Sequence, residues 1–97
     1  MPAVHVLGSF RSSHSGAAST ASYQASADVR ANGIGIQRAL IDNFITHDSS
    51  PAHEGAPTPG SSTVRVNGSP VALVGDSVVG CASTCIGPGS PDVFAGT

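Results

Sequence analysis

The sequence predicts a small, mainly β fold of short β-hairpins arranged as a pseudo-threefold internal repeat, and three observations carry that expectation. The block Ser26 to Gly33 recurs as Ser61 to Gly68 at a constant offset of 35, and the pattern begins again at Ser90. Asn-Gly stands between β-prone residues in both full copies, a strong hairpin signal because a type I′ turn needs φ > 0 at both central positions. Ser9, Asp42 and Asp76 each follow a similar strand, and five residues after them stand His14, His47 and Cys81.

In chain order, the first strand runs from Val4 to Leu7. Residues 11 to 27 are mostly Ser and Ala and suit either a short helix or irregular structure. The first hairpin pairs Asp28 to Ala31 with Ile36 to Ile41. Ile34 to Phe44 also scores as an amphipathic helix, but its alignment with a β repeat favours strand. The second hairpin pairs Thr63 to Val66 with Val71 to Val74, with Pro70 suited to a strand start or an edge. Ser90 to Ala95 repeats the same pattern and stops before a second strand, so two and a half repeats are expected. The polar loops that follow the hairpins carry the histidines and cysteines. The expected organisation is one domain over 1–97, with hairpin repeats at about 25–44 and 60–79 and a partial third at 89–97.

Composition narrows the function. With 97 residues, 39% of them apolar and only 4% aromatic, the core is thin, and a metal, an oligomeric partner or a scaffold is expected to supplement it. Four arginines, six acids and a net charge of −2 disfavour a nucleic-acid partner, because phosphate binding needs a basic patch. Arg11, Arg30, Arg38 and Arg65 are scattered, with no aromatic platform between them. The best apolar stretch, Val71 to Val79, is interrupted by Gly75-Asp76 and is too short to span a bilayer. No secretory signal opens the chain, so any export is expected to use another route. Cys81 and Cys85, four apart, read as reduced thiols.

Similar units around an approximate threefold axis bring equivalent loop positions together. His14, His47 and Cys81 then converge, and His53 in the same loop as His47 completes four ligands. Three imidazoles and one thiolate suit tetrahedral zinc, and four protein ligands leave no open position, so such a site is structural. Taken singly, each histidine would be an ordinary loop residue; the shared phase is what argues for a site. Cys85 could replace or pair with Cys81, but only Cys81 keeps the phase, and His5 reads as a packed or surface side chain of the first strand. A Cys/His hydrolase has no support in the sequence. There is no nucleophile elbow, phosphate-binding glycine loop or His-Glu-x-x-His helix, and no enzyme activity is expected.

The block Gly60-Ser61-Ser62-Thr63-Val64-Arg65-Val66-Asn67-Gly68-Ser69-Pro70-Val71-Ala72-Leu73-Val74-Gly75-Asp76 is followed by Cys81, preceded by His14-Ser15-Gly16 and continued by Gly89-Ser90-Pro91-Asp92-Val93-Phe94. With these features the chain resembles the PAAR-repeat proteins over essentially its whole length. The first repeat departs from the pattern, since Leu40-Ile41 stands where Gly is expected before Asp42, and Ser9 replaces the usual Asp. Ser69-Pro70-Val71-Ala72 approximates the signature tetrapeptide. The resemblance implies a cone of β-hairpins with zinc, or alternatively iron, at its tip, held by His14, His47, His53 and Cys81. It further implies that one copy caps a trimeric β-helical spike of a type VI secretion system or contractile phage tail. Effector proteins are possible further partners, and contact with the target membrane would be transient. Localisation would be cytoplasmic before assembly, then secreted or virion-associated. With Thr97 last, the expectation is a bare tip without an effector domain. The alternative is a stand-alone metal-binding β module acting as an adaptor or adhesin.

Overall fold

The computed structural model describes residues 1–14, 17–47 and 53–96. Ser15 and Gly16, which belong to the upstream part of the resemblance, and Thr97, the end of the expected third repeat, lie outside them. The described residues form β1 (Phe10–Arg11), β2 (Arg30–Ala31), β3 (Ile34–Gly35), β4 (Pro57–Thr58), β5 (Arg65–Val66), β6 (Ser69–Pro70), β7 (Ser77–Val78) and β8 (Cys81–Gly87). No helix occurs among them: residues 11–14 and 17–27 and the stretch from Ile34 to Phe44 are strands, isolated bridges and irregular backbone.

The two Asn-Gly hairpins form as expected. Asn32 and Gly33 have φ of 54° and 79°, and Asn67 and Gly68 have 54° and 84°, left-handed at both central positions of each turn. Their ladders are shorter than expected. Arg30 and Ala31 oppose Gly35 and Ile34, and Arg65 and Val66 oppose Pro70 and Ser69. Beyond these pairs the returning strand leaves its own hairpin and bridges a neighbour, with Val6 opposite Ile36, Arg38 opposite Val71, and Val4 opposite Leu73.

The result is a ring of three strands. His5 N–H donates to the Ala72 carbonyl (2.8 Å), Ala72 N–H to Gln37 (2.9 Å), and Gln37 N–H back to His5 (3.0 Å). Two residues along, Leu7, Ala39 and Val74 donate to Gly35, Pro70 and Ala3, round the ring in the opposite sense. Each strand thus satisfies its backbone on a different repeat, leaving no repeat able to complete its hydrogen bonds alone.

The half repeat at Ser90 is completed by the other end of the chain. Val4 N–H donates to Val93 O (3.0 Å) and Ala95 N–H to Pro2 O (3.2 Å), as Ile36 does to Val29 and Val71 to Val64 (both 3.1 Å). The expectation of two and a half repeats is therefore corrected to three, because N-terminal residues supply the missing strand. Three serines mark the symmetry. Ser26 Oγ accepts from Val29 N–H, Ser61 Oγ from Val64 N–H and Ser90 Oγ from Val93 N–H, each at 3.0 Å. The same hydroxyls donate onward, Ser26 to Asn67 Oδ1 (2.7 Å), Ser90 to Asn32 Oδ1 (2.8 Å) and Ser61 to the Gly96 carbonyl.

One apolar cluster fills the hairpin region: Val4, Val6, Ala31, Ile36, Val66, Val71, Leu73 and Ala95. These are the β-branched and small residues that a chain poor in aromatics has available, and they recur at equivalent places, Val4, Ile36 and Val71 among them. On the axis lie His5 and Gln37, both fully buried. His5 Nδ1–H donates to Gln37 Oε1 (2.6 Å), Gly87 N–H donates to His5 Nε2 (3.2 Å), and Gln37 Nε2 donates to the Asp42 carbonyl (3.0 Å). Burial lowers the His5 pKa against the opposing hydrogen bonds from Gln37 and Phe10, consistent with a neutral, packed imidazole. A second cluster joins Phe44, Val78 and Cys85, with Cys81 packed against it. Val78 and Cys85 belong to a four-stranded antiparallel sheet of order β1-β8-β7-β4. The whole measures 34 × 23 × 22 Å, one long dimension and two nearly equal short ones, as befits units repeated about one axis.

Candidate metal centre

Each turn out of the ring ends in a polar side chain, which caps its own bend in two repeats and reaches a distant carbonyl in the third. Asp76 Oδ2 accepts from Leu73 N–H (2.9 Å), Asp42 Oδ2 accepts from Arg38 N–H (2.8 Å), and Ser9 Oγ donates to Pro88 O (2.6 Å). Arg38 also grips Asp42 through Nε and Nη2 at 2.7 and 3.0 Å. From these bends the chain runs to His14, His47 and Cys81. His14 follows β1 and exchanges backbone hydrogen bonds with Ala17 (3.0 and 2.9 Å). His47 and His53 oppose each other in an antiparallel bridge, which brings their side chains within a few ångströms on one face.

Cys81 lies in a strand, whereas a loop was expected. It opens β8, whose inward side carries Cys81, Ser83, Cys85 and Gly87 and whose outward side carries Ala82, Thr84 and Ile86. Two cysteines four apart in one strand are about 13 Å apart along it, well beyond the reach of a disulfide; both thiols are free.

The four side chains converge. His14 Nε2 is 3.1 Å from His47 Nε2, which is 3.0 Å from His53 Nε2, and Cys81 Sγ is 3.2 Å from His53 Nε2 and 3.6 Å from His47 Nε2. All four donor atoms lie within 4.8 Å of one another, and the group could hold a metal ion. With zinc–nitrogen bonds of about 2.0–2.1 Å and a zinc–sulfur bond of about 2.3 Å, the edges of a tetrahedron are about 3.3–3.6 Å, close to the observed separations. The donors suit the group chemically as well. His47 Nδ1–H donates to the Ala18 carbonyl (2.8 Å), which places the proton on Nδ1 and turns the Nε2 lone pair into the cluster. Three ring nitrogens and a sulfur brought this close form the kind of donor set that a tetrahedral cation would accept.

The two cysteines sit in opposite environments. Burial pushes the Cys81 thiol up, but contacts with the Ser83 hydroxyl, His53, the Ser83 backbone N–H and His47 outweigh it and bring the pKa down to about 6. Cys85, 1% exposed beside Phe44 and Val78, is pushed up to about 12 by burial and by the nearby Asp76 carboxylate. Only Cys81 is in the cluster, so Cys85 neither replaces it nor pairs with it.

Residue-by-residue reading had missed Arg11. It is fully buried, and its guanidinium reaches Thr20 Oγ1 (2.9 Å), the carbonyls of Ile45 (2.8 Å) and His53 (3.0 Å), and Cys81 Sγ (3.9 Å). It also lies 5.6 Å from the centre of the Phe44 ring. Nothing in the residues around a lone arginine signals this. Ser83, by contrast, would follow from the period-2 alternation of a strand beginning at Cys81.

No curated protein matches the sequence. The family model for the PAAR motif matches residues 47–97, a span holding the second repeat, the start of the third, and His47, His53 and Cys81. It leaves out the first repeat, whose Leu40-Ile41 departs from the pattern, and His14. A match over more than half of the chain, joined to a three-repeat β fold with a His/Cys cluster, places this chain in the PAAR-motif family.

Proposed function

We propose that this protein is the tip of a spike: it caps the end of a trimeric β-helix as one copy per trimer, with zinc held by His14, His47, His53 and Cys81. The observation that carries the reading is the closed ring through His5, Gln37 and Ala72. It gives a single chain three equivalent flanks to set against a partner with a true threefold axis, and membership of the PAAR-motif family points to the same kind of partner. The metal would supply charge and geometry that lock three separate segments together, a rigidity the thin core does not provide. Zinc is favoured over iron because three imidazoles and one thiolate with no open position suit a redox-inert tetrahedral ion. Four ligands and no free coordination position also argue for a structural role without catalytic turnover. The spike would belong to a secretion system or a contractile tail.

Metal analysis of untagged protein is expected to find about one zinc per chain. Co-purification with a trimeric spike, followed by mass measurement, is expected to find one copy per trimer. Three copies per trimer, or no association at any salt concentration, would favour a stand-alone metal-binding module.

A further inference from the structure

Among the side chains around the cluster, Arg11 is the one whose placement is electrostatically awkward. A buried guanidinium carries a large desolvation cost, and one beside a cation site repels the ion that site would hold. What it touches accounts for it. A single nitrogen, Nη2, donates to both the Ile45 and the His53 carbonyls. One carbonyl lies two residues before His47 and the other belongs to His53, so the donor ties together the two sides of the His47–His53 bridge. Nε donates to Thr20 Oγ1, and Thr20 in turn donates to Ile45 O (2.6 Å), tying the same point to a third segment. Nη1 faces Cys81 Sγ. Phe44 lies against the guanidinium, and at Gly55 an added Cβ would meet Val78, the Val79 carbonyl at 3.1 Å and Arg11 Nη1 at 3.4 Å, so no side chain can stand there to displace the fork.

We infer that Arg11 is the positioning residue of the metal centre: its planar fork staples the two sides of the His47–His53 bridge and sets both imidazoles against Cys81 before any ion arrives. This rests on the proposed metal site. A lysine carries the charge but cannot reach two carbonyls and a hydroxyl in one plane, so charge and fork can be separated.

The test uses the full chain, stripped of metal and titrated with cobalt(II) and zinc(II) against a chromophoric chelator, with the cobalt–thiolate absorption band recorded. Arg11→Met and Arg11→Lys are both expected to weaken binding by about 10- to 100-fold, the range seen for outer-shell partners of metal ligands, and to shift the thiolate band. Thr20→Val, nearly isosteric, leaves the arginine packed but removes its Nε acceptor; it keeps the test open if the Arg11 variants do not fold, and is expected to weaken binding severalfold. Reduced thermal stability with unchanged affinity and spectrum would assign Arg11 to packing alone and overturn the inference. Full affinity in Arg11→Lys would overturn it too. If the unsubstituted chain bound neither ion, the metal reading itself would fall; if it bound both and the variants matched it, only the role of Arg11 would.

Discussion

In the hairpin region the backbone contacts come in threes: His5, Gln37 and Ala72 pass hydrogen bonds round a ring, and Ser26, Ser61 and Ser90 each cap a turn and reach into another repeat. In the ligand region the threefold relation survives only as a count of residues. His14 comes from a short bridge, His47 and His53 oppose each other in another, and Cys81 begins a seven-residue strand. The first region is held by a distributed core and a repeated ladder, so its stability is spread over many small terms. The second is held by a few groups of unlike chemistry, so each of them matters individually. Symmetry is kept where a threefold partner would be met and abandoned where four ligands must meet at one point.

The largest effect should come from Val71→Asp. Val71 is 1% exposed in the hairpin core, and a buried unpaired carboxylate there is expected to cost about 4 kcal/mol or more, unfolding the domain as read by circular dichroism. Val64, whose carbonyl accepts from Val71 N–H, is 40% exposed. Val64→Asp should leave folding intact, and any loss in that variant would then be read in spike association alone. Equal unfolding by both substitutions would show that the hairpin region has no separable surface.

Next comes the ligand region. His47→Ala and Cys81→Ala should lower metal occupancy and melting temperature together, whereas Cys85→Ser should keep the metal and lose about 1–2 kcal/mol from burying a hydroxyl in an apolar cluster. Amide exchange after chelation should speed up near His14, His47 and Cys81 while Val66 and Val71 stay protected. Uniform loss of protection would erase the distinction between the regions.

A dependence on pH is also expected in the metal-free protein. The folded Cys81 pKa of about 6 lies below its ordinary 9.0, so between these values the folded state binds fewer protons than the unfolded chain, and stability rises with pH. That contribution is present above about pH 9 and is lost as pH falls through about 6. Urea midpoints from pH 5 to 9 should show the slope, and Cys81→Ser should flatten it.

The smallest effect concerns Leu40, which has φ of 74° where the other repeats have Gly8 at 87° and Gly75 at 101°. A left-handed leucine costs about 1–2 kcal/mol, partly offset by the extra freedom glycine has in the unfolded chain. Leu40→Gly should therefore stabilise by less than about 1 kcal/mol, measured as a small rise in urea midpoint, and Gly75→Leu should do the opposite.

Legibility in the sequence followed the same division. The hairpins were readable because Asn-Gly turns and the offset of 35 are local signals, and the cluster of His14, His47, His53 and Cys81 was readable because spacing survives where structure diverges. The third hairpin was half missed: its returning strand, Pro2 to Val4, lies at the far end of the sequence from Val93 to Ala95 and has no Asn-Gly turn to announce it. The strand from Cys81 to Gly87 was missed because Cys-Ala-Ser-Thr-Cys has little apolar alternation, and its inward side is filled by sulfur, a hydroxyl and glycine. Arg11 was missed because burying a guanidinium depends on carbonyls from two distant residues.

The split third hairpin also dictates an order of events. The Asn-Gly hairpins join residues only a few positions apart and can close within microseconds. Pairing Val4 with Val93 must bring together segments separated by nearly the full length of the chain, and the entropy of that closure must be met before its contacts repay it. The ring through His5 cannot shut until then, because His5 belongs to the late strand. A nascent chain would thus carry two formed hairpins with unfilled backbone partners while it waited for Val93 to Ala95 to emerge, and the final step would seal ring, core and axis together.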